Sequence, residues 1–343
     1  MSIKPVLWLI VLLSFMQSLA QDTSSMLEWT CPIEKNNFRG LSALNSKSAW
    51  FSSDNGQVWY FHVDSGWRDC SPSNYPDRVI MWRDIHAYDE NTALILSAGS
   101  PALILRTSNG GSTWEEVYRD DHPEIFFDAF DFYGGTGRAF SDALEKQIGL
   151  IETKDSGKTW NAWEDSKMAL EVAEKQGGFA ASGTCLRMLD EDLGYIVLGG
   201  EDALFKKIGQ ETSLSVSLPL DKGERTKGAF SIDFKNEDTL IAVGGDYRAD
   251  SLSRNSVALS YDGGSTWRLA SQWPQLQHSY WSCVSWEDLQ IVLCSRFKTA
   301  VSKDNGKTWS LLEKGYYTFN KGWFAGQDGR IARFKASSGL GTR

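Results

Sequence analysis

The chain has 343 residues, of which 44 are acidic and 35 are basic, so its formal net charge is −9. An acidic chain without a block of Lys and Arg is not a nonspecific binder of nucleic acid or anionic lipid, because nothing in it neutralises the phosphates. Its 15 Trp and 31 Gly, against only 8 Pro, favour many short strands joined by tight turns and argue against long helices.

The first 20 residues have the three-part pattern of a secretory signal. A single cation, Lys4, precedes an apolar run at residues 6–15, and small residues lead to Ala20. The run has about 10 residues, whereas a membrane span needs about 20. We therefore expect cleavage after Ala20, a secreted or periplasmic protein, and no membrane insertion after signal cleavage.

A short repeat, S/T-x-D-x-G-x-T-W, recurs along the chain. It occurs at residues 107–114, where Asn takes the Asp place, and at 153–160, 260–267 and 302–309. The Trp residues of successive copies are separated by 46, 107 and 42 positions, so the middle interval covers two units, one of which has lost the motif. The turn of that unit is expected at residues 208–212.

The repeat has the chemistry of a β-hairpin turn. Its Asp can accept backbone N–H groups across the turn, its Gly supplies a positive φ, and its Trp begins the next strand and packs inward. A spacing of about 40 to 50 residues suits one four-stranded antiparallel blade of a β-propeller per repeat. We therefore interpret these positions as structural rather than catalytic: Asn109, Trp114, Asp155, Trp160, Asp262, Trp267, Asp304 and Trp309.

These motifs resemble the BNR or Asp-box repeats of sialidases and many other propellers. Over most of the chain the sequence also resembles the exported relatives of the photosystem II stability/assembly factor, through FRGLS at 38–42, WRDI at 82–85, FFDA at 126–129, ASGT at 181–184, AVGGDY at 242–247 and GWFAG at 322–326. Proteins of that group are often labelled oxidoreductases. The sequence has no G-x-G-x-x-G loop and no C-x-x-C-H haem motif, so we expect no cofactor. The resemblance implies a propeller that holds an assembly partner on one face.

We predict an all-β, seven-bladed propeller whose innermost strands begin near Phe38, Met81, Phe126, Phe179, Gly228, Tyr280 and Tyr316. Six blades are the alternative, because the units near residues 63–67 and 208 are degenerate. The last unit offers three strands, at residues 316–320, 322–326 and 330–334. Its outer strand is therefore expected from residues 27–32, which removes a free sheet edge. The propeller domain is assigned to residues 21–335, and residues 336–343 to a flexible tail.

In a propeller, the starts of the innermost strands share one face with the loops between the second and third strands. The strand starts carry Arg39, Arg83, Asp84, Asp128, Ser182 and Thr184, and the loops carry Ser141, Asp142, Asp246, Tyr247, Arg248 and Arg296. We predict that these residues rim an axial funnel. Its Arg groups either bind an acidic ligand or peptide carboxylate through paired hydrogen bonds, or only satisfy the neighbouring carboxylates.

Two functions fit such a funnel. The first is a secreted, non-catalytic binding or assembly scaffold for a protein, a small acidic ligand or a glycan. The alternative is a sialidase-like glycoside hydrolase, which requires three Arg, a Tyr nucleophile with a Glu partner, and an acid. These residue types are supplied by Arg39, Arg83, Arg296, Tyr247 and either Asp128 or Asp142. However, no Glu adjoins Tyr247, and Arg39 is followed by Gly-Leu rather than by x-Pro.

Five cysteines in an exported chain leave at least one unpaired. Cys283 and Cys294 flank a predicted turn at residues 287–290 and would face each other across two strands, and Cys31 and Cys70 are expected in equivalent strands. Disulfides and buried thiols both remain open for these four and for Cys185. Neither these spacings nor the four His predict a metal site.

Two segments are expected near the funnel mouth. They are residues 166–175, which form an insert of helical composition or a plain loop, and a long loop at residues 247–255.

Overall fold

The computed structural model of the protein describes residues 26–31, 36–73, 75, 79–163, 171–173, 175–209, 213–249, 255–270, 280–312 and 314–335. The predicted signal at 1–20, the tail at 336–343 and most of the insert at 166–175 lie outside these residues. Within them, the regular elements are β-strands and a short 3₁₀ turn at Gln327–Gly329. No helix in this part of the chain has the length and apolarity that a bilayer span requires.

The strands fall into consecutive groups along the chain. The first three groups are β2 (Phe38–Ala43), β3 (Ser48–Ser53), β4 (Val58–His62) and β5 (Gly66–Asp69) in blade 1; β6 (Trp82–Ala87), β7 (Ala93–Ser97), β8 (Ala102–Thr107) and β9 (Glu115–Asp120) in blade 2; and β10 (Phe127–Tyr133), β11 (Thr136–Leu144), β12 (Gln147–Thr153) and β13 (Asn161–Ala162) in blade 3.

The remaining groups follow the same order. They are β14 (Leu186–Met188), β15 (Gly194–Gly200), β16 (Leu204–Ile208) and β17 (Ser213–Ser217) in blade 4; β18 (Glu224–Phe234), β19 (Leu240–Asp246), β20 (Val257–Ser260) and β21 (Arg268–Leu269) in blade 5; β22 (Cys283–Glu287), β23 (Gln290–Cys294), β24 (Thr299–Ser302) and β25 (Ser310–Leu312) in blade 6; and β26 (Thr318–Asn320), β27 (Trp323–Ala325), β28 (Arg330–Phe334) and β1 (Met26–Thr30) in blade 7.

Blade 7 closes the ring with strands from both ends of the described chain. β1 pairs antiparallel with β28 over five residues, from Met26 opposite Phe334 to Thr30 opposite Arg330. Trp29 of β1 stacks on Trp323 of β27, with 5.7 Å between ring centroids. The predicted all-β propeller closed by an N-terminal strand is confirmed. The described strands form five four-stranded sheets and one eight-stranded sheet that joins blades 4 and 5, which is consistent with the predicted seven blades.

Blade 4 departs from the predicted boundaries. Its innermost strand begins at Leu186 rather than near Phe179, because the chain before it runs across the propeller face and forms only an isolated bridge, in which Gly177 and Gly199 exchange backbone hydrogen bonds of 3.1 and 2.8 Å. Gly199 also pairs with Gly228 of blade 5. The two chains approach so closely that a Cβ on Gly199 would lie 2.8 Å from Cα of Gly228, so both positions require glycine.

Tryptophans pack between neighbouring blades. Trp50, Trp82 and Trp323 are fully buried, and each donates its indole N–H to a backbone carbonyl of an adjacent blade at 2.9 to 3.2 Å. Truncating a buried Trp to Ala typically costs about 3–5 kcal/mol. The high Trp content therefore stabilises the ring of blades.

Carboxyl groups on several innermost strands connect each of these strands to the next. A side-chain oxygen on one strand accepts a backbone N–H of the following blade in three pairs, Asp84 with Phe130 at 3.1 Å, Asp131 with Met188 at 2.8 Å and Asp233 with Trp286 at 2.7 Å. An unpaired buried N–H is costly, so these carboxylates stabilise the interfaces between blades.

The Asp-box repeats form the turns between the third and fourth strands. In blade 3, Asp155 accepts N–H groups of Lys158 and Thr159 at 2.9 Å and the Thr159 hydroxyl at 2.7 Å. Thr153 Oγ1 accepts the N–H of Gly157 at 3.0 Å, and Gly157 has a φ of 75°. The repeat therefore supplies most of the hydrogen bonds of its own turn, and the indole groups of all four repeats are buried or half-buried. Those tryptophans are Trp114, Trp160, Trp267 and Trp309.

Candidate binding cavity at the propeller axis

A cavity of about 870 Å³ opens on the face that carries the starts of the innermost strands. The structure brings six of the predicted funnel residues together in its lining, namely Arg39, Arg83, Asp128, Asp142, Tyr247 and Arg296. They come from five different blades, since each blade contributes only the first residues of an innermost strand or the loop after its second strand.

Two arginines form the side of the cavity contributed by blades 1 and 2. Arg39 lies over the ring of Tyr317, with 3.9 Å from Cζ to the ring centroid, and its Nε is 3.5 Å from Asp54. Arg83 donates to the backbone carbonyl of Ala180 at 3.2 Å and makes no direct ion pair with a described carboxylate. Its Nε is buried without a hydrogen-bond partner. Burial, and then the nearby charge of Arg39, lower the pKa of Arg83.

Two carboxyl groups lie side by side on the blade 3 side. Asp128 is fully buried, and Asp142 accepts the N–H of Gly178 at 3.0 Å. Burial, and then the neighbouring Asp142, raise the pKa of Asp128 well above its usual range, and burial raises that of Asp142 to about 6. Neither carboxyl oxygen of Asp128 has a hydrogen-bond partner among the described residues, and with the pKa of Asp128 raised further than that of Asp142 the pair carries closer to one negative charge than to two near neutral pH.

A glycine pair covers these carboxyl groups. A Cβ on Gly177 would collide with the carboxylate of Asp142, and one on Gly178 would collide with that of Asp128. The backbone of this segment can therefore lie directly on the acid pair only because neither residue has a side chain.

Aromatic side chains form the opposite wall, on blades 4 to 6. The rings of Phe179 and Phe230 are 4.0 Å apart between centroids, and Phe230 also lies 5.5 Å from Tyr280. Tyr247 is 6.0 Å from Phe179 and is 39% exposed at the cavity edge. The cavity thus combines a cationic side, an acidic side and a flat apolar wall.

Several predicted funnel residues lie outside the cavity lining. Asp84 is buried between blades 2 and 3, where it accepts the N–H of Phe130. Asp246 accepts the N–H of the exposed Arg248 at 2.9 Å, so both belong to a surface turn. Asp84 faces blade 3 and not the axis, because an innermost strand turns alternate side chains toward the axis and toward the next blade.

Three predicted hydroxyl residues also lie outside the lining. Ser182 and Thr184 are 2.7 Å apart between side-chain oxygens, and Thr184 is 2.6 Å from Ser231 of blade 5. Ser141 is buried and accepts the N–H of Gly149 at 3.2 Å. These hydroxyl groups hold neighbouring strands together beneath the cavity.

Much of the lining was not predicted from the sequence. The side chains missed include Glu124, Phe179, Arg225, Phe230, Tyr280 and Tyr317. Most of them lie at or just before an innermost strand, so the rule that selected Arg39 would have found them if aromatic as well as polar residues had been considered. The described residues contain no cluster of three or more His, Cys, Asp or Glu side chains placed to hold a metal ion.

Comparison with known proteins gives the family of the repeats and the fold. Residues 300–311 match the family model of the BNR/Asp-box repeat. No curated protein matches the sequence. Among solved structures, the chain is similar to "YCF48 bound to D1 peptide", with 14% identity, a TM-score of 0.61, and coverage of 92% of this chain and 98% of that one.

Other solved propellers are about equally similar. YCF48 from Cyanidioschyzon merolae has 12% identity and a TM-score of 0.62 over 90% of this chain and 98% of its own. A catalytically inactive virginiamycin B lyase from Staphylococcus aureus, solved with quinupristin, has 11% identity and a TM-score of 0.61 over 90% and 98%. Because these similarities include an enzyme, they show the fold and not the activity. The chain is therefore a β-propeller with BNR/Asp-box repeats, similar in fold to the photosystem II assembly factor YCF48.

Proposed function

We propose that this protein is a binding module whose axial cavity takes an acidic segment of a partner polypeptide. The observation that carries the proposal is Arg83, a largely buried guanidinium that makes no direct ion pair with a described carboxylate and lies beside a second cation, Arg39. A buried cation is stable only with compensating charge and hydrogen bonds. A carboxylate from a partner would supply both, in the bidentate geometry that guanidinium favours.

The rim of the cavity favours a polypeptide over a small anion. Val79 is 69% exposed and Met81 is 36% exposed on the segment that leads into Arg83, and Tyr247 is exposed at the opposite edge. Apolar and aromatic side chains beside a charged pocket are typical of protein interfaces. The fold similarity to a YCF48 structure that contains a D1 peptide supports this class of ligand.

The proposal is tested with a fluorescein-labelled peptide that alternates Glu and Leu, measured by fluorescence anisotropy. We expect Arg39→Ala combined with Arg83→Ala to weaken its binding at least about tenfold, which corresponds to roughly 1.4 kcal/mol. The matched control is Arg119→Ala, which removes an exposed cation paired with Asp121 on the outer strand of blade 2. Equal affinity of the double variant and wild type would overturn the proposal, as would equal binding of a peptide with Gln in place of Glu.

The alternative to the binding function is hydrolysis of a glycoside by the paired carboxyl groups. The three arginines, Tyr247 and both aspartates do line one cavity. A glycosidase, however, needs both carboxyl groups open to the sugar and to water, whereas Asp128 is fully buried and the backbone of Gly178 packs directly against its carboxyl group. The burial of Asp128 favours the binding function.

We also propose that residues 1–20 export the chain. The cation, apolar run and small residues described above support this. Expression of the full chain in a secreting host should give an extracytoplasmic protein whose intact mass corresponds to a start at Gln21, and Leu12→Arg should abolish that product. A cytoplasmic protein that retains Met1 would contradict the proposal.

A further inference from the structure

We propose that Cys283 and Cys294 form a disulfide bond when the chain folds in the presence of a disulfide oxidant. The two residues are the first of β22 and the last of β23, which pair as an antiparallel hairpin in blade 6. In the register of that hairpin they are directly opposite each other. This proposal is independent of the function proposed for the cavity.

The register places the two Cβ atoms near bonding distance. Directly opposite residues of an antiparallel pair have Cβ atoms about 4.5–5.5 Å apart, and a disulfide needs about 3.5–4.5 Å. Cys283 and Cys294 are both completely buried and belong to the same core cluster of blade 6 and blade 7. A small approach of the two strands is therefore sufficient, without a change of register.

The surroundings of the two thiols differ in the folded chain. The neighbouring Cys294 is the largest cause that lowers the pKa of the Cys283 thiol, and it outweighs the effect of burial. Burial raises the pKa of Cys294 well above its usual range. The proposal itself rests on the register of the hairpin, because the exchange takes place before these surroundings have formed.

The other cysteines have different neighbours. Cys70 donates to the backbone carbonyl of Gly110 at 3.3 Å, and Cys31 accepts from the side chain of Asn36 at 3.8 Å. They follow the outer strands of blades 7 and 1, as expected for equivalent strands, but their side chains pack in separate clusters. Cys185 is fully buried, and burial raises its pKa well above the usual range. The pair in blade 6 is thus the one placed for a disulfide among the described residues.

The reaction balances with a small disulfide such as oxidised glutathione. The Cys283 thiolate attacks one of its sulfurs, which forms a mixed disulfide and releases one glutathione thiolate. The Cys294 thiolate then attacks the Cys283 sulfur and releases the second. The protein loses two protons and two electrons, which the oxidant takes up. Both residues are completely buried in the folded chain, so the exchange must occur during folding.

The experiment is oxidative refolding of the reduced mature chain with a glutathione redox pair, followed by alkylation under denaturing conditions. Trypsin cannot separate the two cysteines, because no Lys or Arg lies between them, but a glutamyl endopeptidase cleaves at Glu287. We expect two disulfide-linked peptides around that cleavage site and an intact mass about 2 Da lower, from the two hydrogens lost. The control Cys70→Ser should keep the linkage, and Cys294→Ala should leave Cys283 alkylated.

The wild-type peptide map decides the outcome even if a variant fails to refold. A refolded chain with native Trp fluorescence in which Cys283 and Cys294 are both alkylated would overturn the proposal. Linkage of either residue to Cys31, Cys70 or Cys185 would overturn it as well.

Discussion

The carboxyl groups of Asp128 and Asp142 lie side by side in the cavity and repel each other when both are ionised. The pair is faced by Arg83 from blade 2, by Arg225 from blade 5 and by the buried thiol of Cys185 from blade 4. Removing the proton from Asp128 places a second negative charge in a site covered by the backbone of Gly177 and Gly178. The free energy of unfolding should therefore depend on the protonation of this pair.

We predict that Asp128→Asn flattens the pH dependence of stability. Because folding raises both pKa values above their usual range, the folded state binds more protons than the unfolded state, so stability falls as the pH rises from near 4 through about 6 and beyond. Urea unfolding of wild type should show a loss of about 1–3 kcal/mol between about pH 5 and about pH 8, and the loss should be smaller in the variant, in which only Asp142 of the pair still titrates. An unchanged slope in Asp128→Asn, matching that of the surface control Asp246→Asn, would contradict this.

Residue types explain which parts of the site the sequence could predict. Arg39 and Arg83 were predictable because few charged residues occur at the strand starts, and an Arg placed there suggests a binding site for a carboxylate. Asp84 has the same position and charge, but its side chain points to the next blade, where a backbone N–H needs an acceptor. That distinction depends on the packing of two blades and is not encoded in the local sequence.

The Asp-box turn is the element that repeats most faithfully. In blade 2, Asn109 replaces the Asp and still accepts the N–H of Thr113 at 3.0 Å, while its amide donates to the Thr113 hydroxyl at 2.8 Å. In blade 3, Asp155 makes the equivalent contacts with Thr159. The turn therefore requires the side-chain acceptor more than the negative charge.

We predict that Asp155→Asn is tolerated and Asp155→Ala is not. The Asn variant keeps an acceptor for the Thr159 N–H, whereas the Ala variant leaves several turn donors without their partner. By thermal unfolding, Asp155→Ala should lower Tm by roughly 2–4 °C and Asp155→Asn by clearly less. Equal Tm values for the two variants would show that the hydrogen bonds of the turn do not stabilise the fold.

Element boundaries were predictable where a turn motif marks them and less so elsewhere. β26, β27 and β28 lie within the three predicted strands of the last unit. The innermost strand of blade 4 was misplaced, because the aromatic and small residues near Phe179 look like a strand. In the structure they cross the cavity, where Gly177 and Gly178 cover the acid pair. A segment that serves a site can thus resemble a core strand in composition.

At the scale of the whole molecule, stability depends on closure of the ring of blades. β1 covers the edge of β28, and Trp29 packs on Trp323 and on Phe61 of blade 1. Without β1, the last blade would expose an unpaired strand edge and an apolar surface. Internal repeats predicted this architecture from the sequence, whereas nothing in the repeats identifies the partner.

We predict that a chain starting at Cys31 is destabilised and self-associates. Size-exclusion chromatography should show oligomers of the truncated chain, and thermal unfolding should show a lower Tm than for the chain starting at Gln21. A synthetic peptide of residues 21–31 added in trans should restore both properties, and a scrambled peptide of the same composition should not. A monomeric truncated chain with unchanged Tm would show that ring closure by β1 is dispensable.

The most direct test of the proposed function is hydrogen–deuterium exchange of the mature protein with and without the peptide that alternates Glu and Leu. Slower exchange should be confined to the segments that line the cavity, such as residues 142–145 and 175–181, and should disappear in the Arg39→Ala and Arg83→Ala double variant. Protection on the outer strands or on the Asp-box face, or protection that persists in the double variant, would contradict a binding site at the axis.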